Sequence, residues 1–274
     1  MNTALVLSGG TGTRLGSEIP KQYIKVNDRM IISYCLETLL NNDNIDYVQI
    51  VAEEAWHKDI EEELEGLCRK SCNSGIDGKT PDALKSKFKG FSAPGANRQL
   101  SIYNGLTDIG KYADDDSYVL IHDAARPLLK DELINSCFEA LKSGKDKEKI
   151  EVGNCSEGDE NFQMSDEDNS HDGVLPVLPM KDTVYMSHNG KTIANLIDRS
   201  KVYAGQAPEL FVLGKYYEAN TKLLSGKIMS INGSTEPAIM AGMDIVMIPG
   251  DENNFKITTK ADLEKFKTII EKAN

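Results

Sequence analysis

Apolar positions along the chain recur with two different spacings. Short apolar runs at residues 4–7, 47–52, 118–121, 174–177 and 245–248 have the length of buried strands. Between them, residues 30–40, 98–109 and 131–141 carry apolar side chains at helical spacing. Trp56, Ile60, Leu64 and Leu67 follow one another at i, i+4, i+8 and i+11, one face of an amphipathic helix. Acids open the 131–141 segment, where the helix dipole favours them, and Gly144 supplies a stop. The pattern Thr259-Lys260-Ala261-Asp262 is a capping box, predicting a last helix that turns Leu263, Phe266 and Ile270 inward. Strands separated by helices predict an α/β chain with a mostly parallel, helix-covered, twisted sheet. No internal repeat is present, and residues 1–274 read as a single domain.

Three stretches interrupt the alternation. Residues 71–90 are polar and lack a clear period, and residues 145–172 are acidic and poor in apolar side chains. Both read as insertions; the second buries too little apolar area to offset the cost of ordering and reads as a flexible surface segment. Residues 179–206 hold short alternating runs around Asn189-Gly190, a strong hairpin turn signal, and predict a projecting two-stranded β-arm.

Composition narrows the function classes. Hydrophobic residues make up 40% and charged residues 27%, the balance of an ordinary globular chain rather than a disordered or fibrous one. No run approaches the roughly 20 apolar residues of a membrane span. The N-terminus lacks a positively charged leader, so its apolar run predicts a first strand and a cytoplasmic protein. The net charge of −12 argues against a nucleic-acid partner. Residues 151–172 contain eight acids and no Lys or Arg, leaving about −4 for the rest, so the acidity says little about any site. Five cysteines at irregular spacing predict free thiols; Cys68 and Cys72 have no partner pair at zinc-finger spacing.

Two motifs carry chemistry. The first strand runs into Ser8-Gly9-Gly10-Thr11-Gly12-Thr13-Arg14-Leu15, followed by Pro20-Lys21-Gln22-Tyr23. Glycines there let the backbone approach a phosphate chain and aim N–H groups at it. Leu15 stands where a dinucleotide-binding motif needs its third glycine, and no Gly-Lys-Ser/Thr follows, which excludes a P-loop. Arg14 and Lys21 supply two cations to one polyphosphate instead. The second motif, His122-Asp123-Ala124-Ala125-Arg126-Pro127, ends the 118–121 strand, in the crevice where open α/β sheets bind ligands. Asp123 there suits Mg²⁺ on a nucleotide and Arg126 an acceptor phosphate, while His122 reads as a packed histidine rather than a base.

These motifs, with Asp182-Thr183 and Lys256-Ile257-Thr258 in the same order, resemble the 2-C-methyl-D-erythritol 4-phosphate cytidylyltransferase family, which includes ribitol-5-phosphate cytidylyltransferases. The resemblance implies a Rossmann-like nucleotidyltransferase fold with a projecting β-arm. It further implies a CTP- and Mg²⁺-dependent enzyme, homodimeric through that arm. Position by position, Ser8, Gly9, Gly10 and Gly12 would cradle the triphosphate, and Arg14, Lys21 and Lys256 would stabilise charge at the reacting phosphates. Gly95, Arg98, Ser101 and Ala124 would bind the nucleotide. Asp123 would sit beside metal and acceptor, with Arg126, Thr183 and Arg199 on the acceptor side, Thr183 and Arg199 reaching a neighbouring subunit. Pro94 and Ala96 depart from the family's Gly-Gly-x-x-Arg segment, and Thr235-Glu236-Pro237 from its Thr-Asp-x-Ala/Cys pattern.

The implied reaction joins CMP to a small polyol phosphate with release of pyrophosphate and no covalent intermediate. The expected acceptor is 2-C-methyl-D-erythritol 4-phosphate, a step of isoprenoid biosynthesis. Gly9 and the string Tyr203-Ala204-Gly205-Gln206-Ala207-Pro208 resemble the ribitol branch more closely, making ribitol 5-phosphate the alternative. A catalytically silent homologue would have no need of Arg14, Lys21, Asp123, Arg126 and Lys256 together. A nicotinamide-dependent oxidoreductase is disfavoured by the missing glycine.

Overall fold

The computed structural model describes residues 1–10, 19–73, 80–143 and 170–273. Thr11, Gly12, Arg14 and residues 145–169 of the acidic stretch therefore lie outside the described residues. The strands in chain order are β1 (Asn2–Leu7), β2 (Lys25–Val26), β3 (Arg29–Met30), β4 (Tyr47–Val51), β5 (Phe88–Ser92) and β6 (Tyr118–Asp123). They continue with β7 (Gly173–Pro179), β8 (Val184–Met186), β9 (Asn195–Ile197), β10 (Tyr203–Gly205), β11 (Glu209–Val212) and β12 (Ile245–Pro249). The helices are α1 (Ile31–Asn41), α2 (His57–Asn73), α3 (Pro81–Lys87), α4 (Arg98–Ile109), α5 (Asp131–Lys142), α6 (Leu213–Thr221), α7 (Glu236–Met240) and α8 (Lys260–Ala273).

Eight strands form the main sheet. β5, β4, β1 and β6 lie side by side in parallel, β11 inserts antiparallel between β6 and β7, β10 also pairs antiparallel with β7, and β12 pairs parallel with β7. The mostly parallel sheet expected from the strand–helix alternation is thus present. β1 shows why its sequence is a continuous apolar run: Ala4 and Val6 join the core under α1, α2 and α5, while Leu5 joins the opposite core with Ile102, Leu106 and Tyr216. A strand covered on both faces has no polar side to display.

Residues 80–90 differ from the polar insertion expected of them. Thr80 accepts from the Ala83 amide and caps α3, Leu84 is buried, and β5 adds a parallel strand beside β4. One buried side chain in a seven-residue helix leaves no visible period in the sequence. The 179–206 region contains the β8–β9 antiparallel pair, joined by residues 187–194 rather than a two-residue turn. The Asn189 carboxamide oxygen accepts from the amides of Lys191 and Thr192 and organises that loop, with Gly190 at φ 68°. Cys35, Cys68 and Cys137 are buried, and burial pushes the Cys35 and Cys137 thiols up to about 12. Among the described residues no helix is long and apolar enough to cross a membrane.

A third core, small and separate, holds the C-terminal helix. Phe266 of α8 is fully buried with Val26, Ile31 and Ile257, and its ring meets Tyr34 edge-on at 5.1 Å. Asp262 completes the capping box, accepting from the Thr258 and Thr259 amides while its own amide donates to Thr259 Oγ1. Replacing Phe266 with Ala should therefore cost about 3–5 kcal/mol, since this cluster has few members to close around the void. A chemical-denaturation midpoint indistinguishable from wild type would contradict this packing role.

Candidate active site

The C-terminal ends of β1 and β6 stand side by side, with Leu7 opposite Asp123 in the parallel register. Whatever follows each strand therefore meets in one crevice. After β1, the Ser8 amide donates to Val51 O, and the Ser8 hydroxyl donates to the Tyr23 hydroxyl at 2.9 Å. Gln22 Nε2 donates to both Ser8 O and Gly10 O, at 2.6 and 2.7 Å, clamping the loop to the Lys21–Tyr23 turn. A Cβ at Gly9 would lie 2.4 Å from Pro94 Cβ, and one at Gly95 would lie 2.3 Å from Leu100 Cβ. Only glycine permits these two backbones to approach so closely, and Pro94, a departure in the sequence, packs directly on Gly9. Asn97 caps α4 by accepting from the Leu100 amide, and Ser101 Oγ accepts from the Gly95 amide while donating to Asn97 O. Arg98 and Ser101 are thereby presented from the first turn of α4.

The segment from Asn254 to Thr258 closes the crevice. The Ile257 amide donates to Ala125 O at 2.8 Å, and Lys21 Nζ donates to Ile257 O at 2.6 Å. The Arg126 guanidinium donates to Asn254 O at 2.7 Å. These bonds carry Lys256 to the mouth of β6, where its Nζ lies 3.0 Å from Asp123 Oδ2. Arg126 Nε stands 3.6 Å from the same oxygen, and Arg98 approaches Oδ1 through Nε and Nη2 at 3.3 and 3.2 Å. One carboxylate, 7% exposed, thus faces three cations from three separate segments. Burial alone would raise its pKa; Arg98, Lys256 and Arg126 together outweigh that and hold it well below the usual carboxylate range.

The resulting cleft has a volume of 580 Å³ and is lined by Gly9, Gly10, Lys21, Arg98, Asp123 and Lys256, among others. A larger concavity of 810 Å³ between Tyr23 and α2 is lined by Asp28, Asp59, Glu62 and Glu63 with Lys25 and Arg29, so acids outnumber bases there. The cleft brings together Gly9, Gly10, Lys21, Gly95, Arg98, Ser101, Asp123 and Lys256 as the sequence suggested. It adds Glu53, Asn97, Ala125 and Thr258. Ala124 is buried in the core, and its neighbour Ala125 faces the cleft instead. Ser8 is buried as a loop anchor. Thr183 and Arg199 line no part of this cleft; both are exposed, and the Arg199 guanidinium donates to Lys181 O.

His122 is packed rather than presented to the cleft. Its Nε2 donates to Arg126 O at 3.0 Å, it is fully buried, and burial pushes its pKa down to about 4. Among the described residues no cluster of three metal-ligating side chains occurs. Asp123 is the donor type that Mg²⁺ takes, one or two carboxylates with substrate phosphates and water completing the shell, and here its oxygens face Arg98, Lys256 and Arg126.

The profile of the 2-C-methyl-D-erythritol 4-phosphate cytidylyltransferase family matches residues 3–150 and 155–272, nearly the whole chain. The chain belongs to this cytidylyltransferase family. It is 30% identical to the ribitol-5-phosphate cytidylyltransferase of Vibrio parahaemolyticus, over 99% of this chain and 96% of that protein. It is 28% identical to the 2-C-methyl-D-erythritol 4-phosphate cytidylyltransferase of Petrotoga mobilis, over 98% and 97%. The solved structure of 4-diphosphocytidyl-2C-methyl-D-erythritol synthase from Anaerococcus prevotii shares the fold, with a TM-score of 0.70 at 22% identity and coverage of 98% and 96%. Family members thus divide between two acceptors, and this chain is of the CTP-dependent nucleotidyltransferase type common to both.

His122 gives the site a pH signature. Its folded pKa lies below the ordinary value, so between about pH 6.5 and 4 the unfolded chain binds a proton that the folded chain refuses. Stability should fall as pH drops through that window, by about 3 kcal/mol in all. The Asp123 carboxyl, depressed in the fold, adds a further loss only below about pH 4. Urea unfolding across this range should show a flatter profile for His122→Gln between pH 6.5 and 4. An unchanged slope would contradict a buried neutral imidazole.

Proposed function

We propose that the chain transfers CMP from CTP to ribitol 5-phosphate, releasing pyrophosphate and forming CDP-ribitol. The observation that carries the CMP-transfer reading is the convergence of Arg98, Arg126 and Lys256 on Asp123, with Lys21, Arg98 and Lys256 lining the glycine-floored cleft and Arg126 behind it. An acceptor phosphate oxygen attacks the α-phosphorus in line, and the P–O bond to pyrophosphate breaks. Both reactants are anions, so positioning and charge neutralisation supply the rate rather than a strong base. In this reading Lys21, Lys256 and Arg14 stabilise charge on the reacting phosphates. Arg98 and Ser101, on the first turn of α4, serve the nucleotide, and Arg126 serves the acceptor. Mg²⁺, held by Asp123 and the nucleotide phosphates, would supply further neutralisation. The relative at 30% identity and the Gly205-Gln206 string support ribitol 5-phosphate. The Petrotoga relative supports 2-C-methyl-D-erythritol 4-phosphate as the second reading.

The acceptor half of the site is completed, in this reading, by a second copy of the chain. Tyr185, Met186, Ile193, Leu196 and Ile197 all face outward on the β8–β9 hairpin, an apolar surface suited to a partner subunit. Thr183 and Arg199 sit at the base of the same hairpin and away from their own cleft.

Pyrophosphate release should require CTP, Mg²⁺ and a polyol phosphate together, with ribitol 5-phosphate giving the higher kcat/KM. Lys256→Ala should lower kcat by roughly 10²–10³. Release that is unaffected by EDTA, or equal for any phosphate monoester, would refute the proposal. Faster turnover with 2-C-methyl-D-erythritol 4-phosphate would install the second reading. Mixing Arg126→Ala with Arg199→Ala protein, once subunit exchange is verified, should restore activity, because one site per mixed dimer then carries neither defect. No recovery would show that both residues serve the same chain's site.

A further inference from the structure

Glu209 is a buried carboxylate that the reaction scheme leaves without a task. It opens β11, opposite Ile121 of β6, and only 6% of its surface is exposed. It lines no part of the cleft. Ser234 donates its hydroxyl to Oε1, and Thr235 Oγ1 donates to Oε2 at 2.8 Å. Oε1 also faces Arg98 Nη2 at 3.7 Å. A carboxylate removed from water at this cost requires partners of opposite charge, and Arg98 is the guanidinium beside it.

Arg98 Nη2 is therefore shared by two carboxylates, 3.2 Å from Asp123 Oδ1 and 3.7 Å from Glu209 Oε1. Asp123 by itself would have to satisfy Arg98, Arg126 and Lys256, three cations on two oxygens. Both Arg98 bonds go to Oδ1, whereas Oδ2 receives Lys256 and Arg126. A second anion at Nη2 restrains the guanidinium where it meets Oδ1, while Oδ2 is left to Lys256 and Arg126. It also fixes a long side chain that would otherwise lose entropy on meeting a ligand.

The Thr235-Glu236-Pro237 segment borders the same arrangement. Glu236 lines no part of the cleft, and its Oε2 accepts the Asn232 amide. Ser234 and Thr235 contribute the two hydroxyls that orient the Glu209 carboxylate.

We propose that Glu209 is a positioning residue that sets the Arg98 guanidinium for nucleotide binding, an inference that rests on the reading of Arg98 as a nucleotide contact. The test is a double-mutant cycle read by calorimetric titration of CTP into the Mg²⁺-supplemented protein. Glu209→Gln keeps shape and hydrogen-bonding capacity but removes the charge. It should weaken CTP about tenfold while leaving the KM of the acceptor within twofold of wild type. In an Arg98→Ala background the same change should weaken CTP by less than twofold. An equal loss in both backgrounds, or none in either, overturns the proposal while leaving the assigned reaction intact. Unchanged CTP affinity in Arg98→Ala alone overturns the nucleotide reading of Arg98 and this inference with it. If the Gln variant does not fold, Glu209→Asp, which draws the charge back by one methylene, carries the same cycle. A several-fold loss that disappears without Arg98 supports the proposal, and a loss that persists refutes it.

Discussion

A single carboxylate organises this molecule's working face. Asp123 is buried at the end of β6, and it is stable there as an anion only because cations arrive from α4, from the loop after β6 and from the segment before α8. Each of those segments is remote from the others in sequence, so the charge balance at Asp123 depends on the whole fold being in place. Removing one partner from such a cluster leaves uncompensated charge in a place with little water, which typically costs several kcal/mol. The same balance explains why Arg98, Arg126 and Lys256 remain gathered before any anion binds. Mutual repulsion would otherwise spread them apart.

The scaffold achieves this with ordinary means. Parallel pairing of β1 with β6 sets two loop-bearing strand ends at one level, and a core on each face of the sheet fixes their spacing. Gln22 and Tyr23 then tie the start of the glycine loop down through the Ser8 and Gly10 carbonyls. The packing of Gly9 on Pro94 shows how a departure from a family pattern is absorbed locally: the ring fills the space that a side chain at position 9 would need.

Much of this was legible in the sequence because it is periodic or punctuated. The runs that became β1, β4 and β6 are apolar throughout since both faces are covered, and α4 spans the same residues that its spacing predicted. His122-Asp123 at a strand end was readable as a ligand position from topology alone. Glu209 was not readable. An acid opening the apolar string Leu210-Phe211-Val212 looks like a strand boundary, and only the fold brings it to Arg98 and to hydroxyls 25 residues further on. The exchange of Ala124 for Ala125 at the cleft has a similar origin: once the strand ends, a turn decides which of two adjacent side chains faces in. α3 escaped notice because Leu84 alone marks its buried side.

The order of these pieces along the chain has a consequence for how the molecule comes into being. Asp123, Arg98 and Arg126 all precede the Asn254–Thr258 segment, which brings in Lys256 and also supplies the carbonyls that hold Lys21 and Arg126. A ribosome making this protein releases the sheet's centre long before that segment emerges. Until then the crevice lacks a wall and Lys21 lacks its Ile257 anchor. The wall of the cleft is thus among the last parts of the nascent chain to be put in place, after every strand of the sheet has been made.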